Sequence, residues 1–525
     1  MQNGKIRIFL LILWGVFWGF GLLYLTVFLL DTLYFPSKSL FSFILPLLCI
    51  LTGLFFWNWV LSKKINKKIT SFLFLISGIL SVGTYFLQGY NQFNIFWHSI
   101  LGFMLAFPLS FNNFQFTRVT TISNRGFSAG FLAFFMGLTI LILTFLNLSG
   151  IASYPIFFIL IGILTLITSF LYYIIDWDAL FVKEESFTRR SEKGSMKKNL
   201  SYIMVLFTIG ILIGYGLIFE IENPEWATFL FNLGEIIFGS TIQDYLITHS
   251  GGMIGLFFVA ISFCITSIIW GKLADIKGRK SIMISAFVFS ILGIVVFELF
   301  RHIITFTFAA ISWGCMTTIF IILLNTLLGD LKIPFFKRSF NIYSGAYFGM
   351  GTGVIISLFL LTQSLTTIFL TCSTIIIIGF IAILRSEETL PDTSELDWFS
   401  AIQHLYIIYH NGICMYNYPF RPSKSDDQLF AGGITGISTM IQELTENKSR
   451  LKAIRQERGI VLLEYGEFIT YVLICSKELT VLHNKLQELQ NEFEDFYEDI
   501  IPSWNGNDSV FIPTRKIIEK IFIPE

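Results

Sequence analysis

Charge is what this chain has least of. Only 14% of its 525 residues are Asp, Glu, Lys or Arg, against about a quarter in a soluble globular chain, which excludes an ordinary water-soluble enzyme. Cysteine is scarce as well: Cys49, Cys264, Cys315, Cys372, Cys414 and Cys475 are scattered with no CxxC pair. Neither a disulfide framework nor a zinc site follows from that pattern, and no metal or cofactor is expected. There is no phosphate loop, because Gly432-Gly433 lacks the Gly-Lys-Ser/Thr that would have to follow. No catalytic constellation is found, so no enzyme is expected, and nothing calls for a nucleic-acid partner.

What is present is apolar and aromatic: 54% hydrophobic residues, including 59 Phe. The apolar residues gather into twelve runs, roughly 6–30, 39–62, 69–89, 93–113, 127–148, 153–175, 199–221, 251–270, 281–299, 303–327, 340–362 and 366–384. A bilayer core of about 30 Å needs around 20 helical residues, so each run reads as a spanning helix in a polytopic membrane protein. The first run follows Lys5 and Arg7 as a signal peptide would, but continues to Leu30 without a small-residue cleavage site. Charge then orients the chain. With the N-terminus inside, the inner segments carry 21 basic residues and the outer loops only Lys38 and Arg301, which predicts two cytoplasmic termini and a multi-pass protein of the cell membrane.

The formal net charge of zero conceals a split. Residues 1–385 hold 24 Lys+Arg and 14 Asp+Glu, whereas residues 386–525 hold 12 and 22. The apolar part is itself duplicated. Gly15-VFW-Gly19-Phe-Gly21 in span 1 returns as Gly210-ILI-Gly214-Tyr-Gly216 in span 7, an offset of 195. WVLSKKINKK from Trp59 aligns with GKLADIKGRK from Gly271, an offset of 212; Asn113 and Asn325 share it, and Arg125 and Arg338 differ by 213. A six-plus-six duplication with one insertion in the outer loop 222–250 leaves this trace. Parallel repeats of this kind enclose a central site between their halves. The expected organisation is an N-terminal six-helix bundle with its central loop over 1–198, a second bundle over 199–385, a linker over 386–398 and a soluble domain over 399–525.

The sharpest motif, Gly271-Lys272-Leu273-Ala274-Asp275-Ile276-Lys277-Gly278-Arg279-Lys280, resembles the G-x-x-x-D-x-x-G-R-K signature of the major facilitator superfamily. The resemblance covers residues 1–385 and implies a secondary transporter in which two bundles rock about a central site. On physical grounds, Gly271 and Gly278 permit close helix approach and a tight turn, and Asp275 is expected to face the start of helix 5. There Arg125 and the free helix N–H groups can hold it as a conformational latch. Gly271, Asp275, Gly278, Arg279, Lys280 and Arg125 are therefore the candidate latch. Its counterpart in the first half carries Trp59, Lys63, Asn66, Lys67 and Lys68 at the aligned positions, with Lys63 where the aspartate should be. Arg125-Gly126, Asp330 and Arg338 also resemble the superfamily's inner-loop pattern, with Ser339 in place of the second glycine.

The superfamily's arrangement implies a cavity lined by spans 1, 4, 7 and 10, whose candidates are Trp14, Trp18, Tyr24, His98, Tyr215, Trp313 and Thr317. Any one of these aromatics can equally be a packing residue. The deep parts of these spans contain no Asp, Glu, Lys or Arg, which favours a small neutral or amphipathic solute over ion coupling.

Beyond Glu395 the pattern is soluble. Strands are predicted at 405–409 and 413–418 around His410-Asn411-Gly412, a helix at 427–444, and strands at 451–457, 460–465 and 467–475. A long helix ends before Pro502 and a short one covers about 513–522. The order β-β-α-β-β-β-α is similar to the longin and roadblock group of profilin-like domains, which implies a protein-binding role with small GTPases among the usual partners. The alternative to a transporter is a non-transporting receptor in which this domain carries the function.

Overall fold

The computed structural model describes residues 2–34, 40–61, 67–86, 91–148, 154–175, 196–221, 243–300, 303–331, 341–343, 345–346, 348–353, 356, 365–422, 426–445, 451–457 and 459–523. They form two compact units, one of the described residues within 2–184 and 194–390, the other of those within 391–523.

The first unit is helical. Its long helices are α1 (Gln2–Tyr34), α2 (Leu40–Leu61), α3 (Lys67–Phe86), α4 (Asn91–Val119), α5 (Arg125–Leu148), α6 (Tyr154–Ile174), α7 (Met196–Ile221), α8 (Gln243–Lys277), α9 (Arg279–Phe300), α10 (Ile303–Asp330) and α11 (Leu365–Arg385). Helical turns at 341–343, 345–346 and 348–353 stand where the eleventh span is predicted. Among the described residues, Lys67–Phe86, Arg125–Leu146, Phe257–Lys277 and Phe308–Asp330 are long and apolar enough to cross a membrane. In hydrocarbon a helix is the simplest element that satisfies its own backbone groups, which is why apolar runs become helices here.

Several helices outrun their apolar runs. The fourth apolar run ends at 113 but α4 continues to Val119; the eighth ends at 270 but α8 reaches Lys277; the tenth ends at 327 but α10 ends at Asp330. The extensions are polar turns, and their side chains build the site described below. Asn113 and Asn325, near the ends of their apolar runs, are buried inside α4 and α10.

Glycine sets how closely these helices pack. A Cβ on Gly271 of α8 would lie 2.6 Å from the carbonyl oxygen of Gly126 of α5, and one on Gly126 would lie 2.6 Å from that of Gly271. Real Cβ atoms do not approach that closely, so α5 and α8 meet backbone to backbone. The same construction recurs on α1 against α5 at Gly15, on α2 against α4 at Gly53, and on the 345–353 segment against α7 at Gly345. Without a hydrophobic force between helices in lipid, close van der Waals contact of this kind supplies the association.

The second unit is a five-stranded antiparallel sheet in the order β2-β1-β5-β4-β3, built from β1 (Ile402–Tyr409), β2 (Cys414–Pro419), β3 (Ala453–Gln456), β4 (Gly459–Tyr465) and β5 (Ile469–Cys475). Two short turns, α12 (Thr393–Leu396) and α13 (Trp398–Ala401), precede it. Helix α14 (Asp427–Thr445) sets Ala431 and Ile434 against Tyr406, Ile408, Leu463 and Val472. The alternate side chains Leu405, Ile407 and Leu473 are also fully buried. On that face Tyr471 meets Phe493 of α15 (Thr480–Phe496) edge to face at 5.9 Å. The apolar side of α15, with Leu482, Leu486, Leu489 and Phe493 buried, is thus a sheet-packing face. Helix α16 (Thr514–Phe522) closes the chain against α15.

Candidate functional site

The polar ends of α4, α5, α8, α9 and α10 converge on one buried cluster of charge. It begins with a backbone conformation. Gly278 has φ +90°, in the left-handed region that glycine adopts without cost, and this single residue separates α8 from α9. The turn carries Asp275 and Arg279, four residues apart, onto one side, with Arg279 Nη1 2.8 Å from Asp275 Oδ1.

Asp275 then reaches α5. Its Oδ1 accepts from the N–H of Gly126 at 2.8 Å and its Oδ2 from that of Phe127 at 2.6 Å. These are first-turn amides with no partner inside their own helix, and a carboxylate there is favoured by both hydrogen bonding and the helix dipole. A Cβ on Gly126 would collide with that carboxylate, so the glycine is a requirement of the contact.

The sequence pattern predicts that Arg125 holds Asp275 together with these amides. The structure gives it another main partner: its Nη1 donates to Asp330 Oδ1 at 2.6 Å, and both side chains are 0% exposed. As the first residue of α5, Arg125 projects its side chain back beyond the helix N-terminus. There its Nη2 also donates to the carbonyl of Thr120 at 3.1 Å. Gly329 leaves the space, since a Cβ at that position would overlap the guanidinium. Asp330 uses its second oxygen on Arg279, whose Nε lies 2.9 Å from Oδ2. Arg279 spends its remaining donors on the carbonyls of Ala274 (2.6 Å) and Ile122 (3.1 Å). Buried guanidinium groups satisfied in this way avoid the desolvation penalty that an unpaired charge would carry.

Lys280, the last latch candidate, leads to a carboxylate that sequence reasoning missed. Glu388 lies just past α11, and its Oε1 and Oε2 accept the N–H groups of Arg279 (2.8 Å) and Lys280 (2.9 Å) at the start of α9. Lys280 Nζ donates to the carbonyl of Ser386 at 2.9 Å, Tyr202 to that of Glu387 at 2.6 Å, and Thr389 Oγ1 to Asp330 Oδ2 at 3.3 Å. Residues 386–390 therefore strap across the cluster, and the first unit extends to Leu390, beyond the predicted boundary at 385. The only signal in the sequence was an acidic pair after a basic helix end. Arg125, Arg279 and Lys280 balance Asp275, Asp330 and Glu388.

Among the described residues, the predicted cavity candidates have the following partners. Fully buried Trp14 donates to the Tyr172 hydroxyl at 2.6 Å, and Tyr172 in turn to Asn112 Oδ1 at 2.6 Å. Trp18 donates to Asn113 Oδ1 at 3.3 Å, and Asn113 Nδ2 donates to the Tyr343 hydroxyl. A polar, uncharged ladder thus runs from α1 through α4 to the 341–343 turn. His98 is buried with its ring edge-on to Phe158 at 5.9 Å. Trp313 is buried, and Thr317 donates back to its carbonyl at 2.8 Å. Tyr24, Tyr215, Lys63, Asn66, Arg338 and Ser339 fall outside the described side chains. Lys67 and Lys68 are exposed at the start of α3.

No known family profile matches the chain, and no curated protein matches it. Solved structures do. The human organic anion transporter MFSD10 (TETRAN) aligns at 11% identity with a TM-score of 0.49, covering 73% of this chain and 99% of its own. The proton:xylose symporter XylE, of the major facilitator superfamily, aligns at 13% identity with a TM-score of 0.51, covering 73% of this chain and 96% of its own. At that identity the second likeness establishes a shared fold for the helical unit.

Proposed function

We propose that the chain is a secondary membrane transporter of the major facilitator type, which moves a small neutral or amphipathic solute by alternating access. Both termini are then cytoplasmic, the cluster around Asp275 lies at the cytoplasmic face, and the 399–525 domain binds a protein partner or regulates transport. One observation carries the reading: the N-terminal and C-terminal halves of the helical unit are joined at one end by a set of buried ion pairs and helix-cap hydrogen bonds. Arg125 and the amides of Gly126 and Phe127 come from the first half, while Asp330 and Asp275 come from the second. A static membrane anchor has no need of buried ion pairs between its halves; a protein that alternates between two closures does.

Support for the solute class is chemical. The ladder of Trp14, Tyr172, Asn112, Trp18, Asn113 and Tyr343 is polar without formal charge, and Asn112 Nδ2 is buried with no hydrogen-bond partner among the described residues. Such groups suit a neutral hydrogen-bonding solute with an apolar face. The receptor alternative draws on two features, Lys63 in the first-half copy of the motif and the absence of charge from the deep parts of spans 1, 4, 7 and 10.

The test is reconstitution of the full chain in liposomes and uptake from a mixed panel of metabolites and drug-like solutes, with and without a pH gradient. Gradient-insensitive uptake of uncharged solutes is expected. Gradient-driven uptake would refute the uncharged-cavity reading, and silence across the panel would favour the receptor. In parallel, Asp275→Asn should raise cysteine accessibility on the cytoplasmic side while Lys63→Asn leaves it unchanged. Equal effects from the two would defeat the one-latch interpretation.

A further inference from the structure

An asparagine followed by glycine can react with its own backbone, because no side chain shields the glycine nitrogen from the neighbouring carboxamide. The chain has three such pairs, Asn3-Gly4, Asn411-Gly412 and Asn505-Gly506. Asn3-Gly4 lies within α1, where the backbone tilts each side chain toward the helix N-terminus and so away from the nitrogen that follows it. The other two are in turns of the tail domain. Both asparagines are exposed, and both glycines have positive φ, +87° at Gly412 and +95° at Gly506.

The two carboxamides are held alike. Asn411 Oδ1 accepts the N–H of Ile413 at 3.1 Å, and Asn505 Oδ1 accepts that of Asn507 at 3.4 Å. This bond to the backbone two residues on folds the carboxamide over the intervening glycine. An N–H group on Oδ1 also stabilises the negative charge that attack on Cγ would develop there.

The nucleophiles differ. The N–H of Gly412 donates to the carbonyl of Tyr409 at 2.9 Å, and the N–H of Tyr409 to the carbonyl of Ile413 at 2.9 Å, so the hairpin from β1 to β2 holds that nitrogen in place. The N–H of Gly506 has no hydrogen-bond partner among the described residues, and a Cβ on Gly506 would meet no atom within 4 Å. Its loop is braced only at the ends. Trp504 Nε1 donates to the carbonyl of Asn507 at 3.1 Å, and the N–H of Ser509 to Asn507 Oδ1 at 3.1 Å. Asn505 thus keeps its turn while the glycine nitrogen stays open to water and base.

We propose that Asn505 is a site of spontaneous deamidation, and that the hairpin protects Asn411 from the same reaction. The Gly506 nitrogen gives its proton to water or hydroxide and bonds to Asn505 Cγ. The bond from Cγ to Nδ2 breaks, ammonia leaves, and a succinimide remains. Water then opens the ring. Opening at Cγ gives aspartate, and opening at the backbone carbonyl gives isoaspartate, whose main chain is longer by a methylene. Either product places a new negative charge near Asp508. Isoaspartate also stretches the segment that the Trp504–Asn507 bond closes, and Trp504 packs edge-on against Tyr409 at 5.2 Å and on Phe511 at 5.9 Å.

The experiment is to age full-length protein in detergent in mildly alkaline buffer and follow the three pairs by peptide mass spectrometry. Isoaspartate is measured separately by labelling with an isoaspartyl methyltransferase. Asn505 should convert roughly ten times faster than Asn411, the scale of one hydrogen bond that must be given up. In guanidinium chloride, where neither turn persists, the two rates should converge. Equal rates in the folded protein, or an Asn505 that stays intact, would overturn the proposal. A difference that survives in guanidinium chloride would overturn it too, by placing the cause in the neighbouring side chains and not in the fold. Asn505→Gln, which requires a larger and slower ring, should remove most of the isoaspartate label. A label of parental size in that variant would assign the reaction to another asparagine.

Discussion

The same chemical device appears in both units of this protein, with different surroundings. In the helical unit Asp275 and Glu388 place their carboxylates on the first amides of α5 and α9. In the tail, Glu395 does likewise for α15, accepting from the N–H groups of Thr480 (2.7 Å) and Val481 (3.0 Å). Around the first pair the guanidinium groups of Arg125 and Arg279 are wholly buried. In the tail the ion pairs face water, as in Arg455 with Glu478, where the arginine is 73% exposed. Geometry is shared; the burial of the neighbouring guanidinium groups is not, and Glu388 itself is exposed. A buried charge that loses its partner has nothing to replace it, while an exposed one regains water.

That contrast orders the consequences of breaking each contact. Asp330→Asn comes first, because it strips the carboxylate from two buried arginines at once. A cost of about 3–5 kcal/mol is expected for an orphaned buried charge, visible as a lower unfolding midpoint of the full chain in detergent. A midpoint within a degree of the parent would mean that water already reaches the cluster.

Glu388→Gln is next. It keeps the shape of the cap on α9 but removes its charge, and because Glu388 is exposed, about 1 kcal/mol is expected from the lost charge-assisted bonds. Cysteine accessibility near Ser386 should rise. If Glu388→Gln matched Asp330→Asn in effect, the strap and not the arginine pair would be the centre of the cluster.

The tail counterpart, Glu395→Gln, should cost about 1 kcal/mol, as for a lost helix cap, with faster hydrogen exchange confined to the first turn of α15. Last is Arg455→Ala, for which about 0.2–1 kcal/mol is expected from an exposed pair. Its effect should disappear in high salt, whereas that of Asp330→Asn should persist.

One tail group departs from this pattern. His404 is buried with its ring stacked on Tyr406 at 4.4 Å, and burial lowers its pKa below the ordinary value despite Asp427 nearby. The unfolded state therefore binds the proton more readily. Stability contributed by neutral His404 is complete above the unfolded value near 6.5 and is lost as pH falls through the interval down to the lowered folded pKa. Hydrogen exchange in β1 should accelerate over that interval, and His404→Gln should flatten the profile.

Much of this was legible in sequence for a simple reason: apolar runs and their charge flanks act locally. Run length is enough to call for spanning helices, the 212-residue offset is enough to expose the duplication, and Gly278 with Asp275 and Arg279 marks the turn where the site forms. Alternation of apolar residues likewise locates β1, β4 and β5 to within a few positions. Partner choice was another matter. Arg125 turned to Asp330, which lies 205 residues away, and Glu388 was brought 109 residues back to Arg279. Trp14, an aromatic like many others in the apolar runs, became the donor to Tyr172. Such pairings depend on which helix ends converge, and that is fixed by glycine-mediated contacts such as Gly126 on Gly271. A periodic pattern tells which side of a helix is apolar or small, but only the packed bundle decides which neighbour that side meets and therefore which buried charges must satisfy one another.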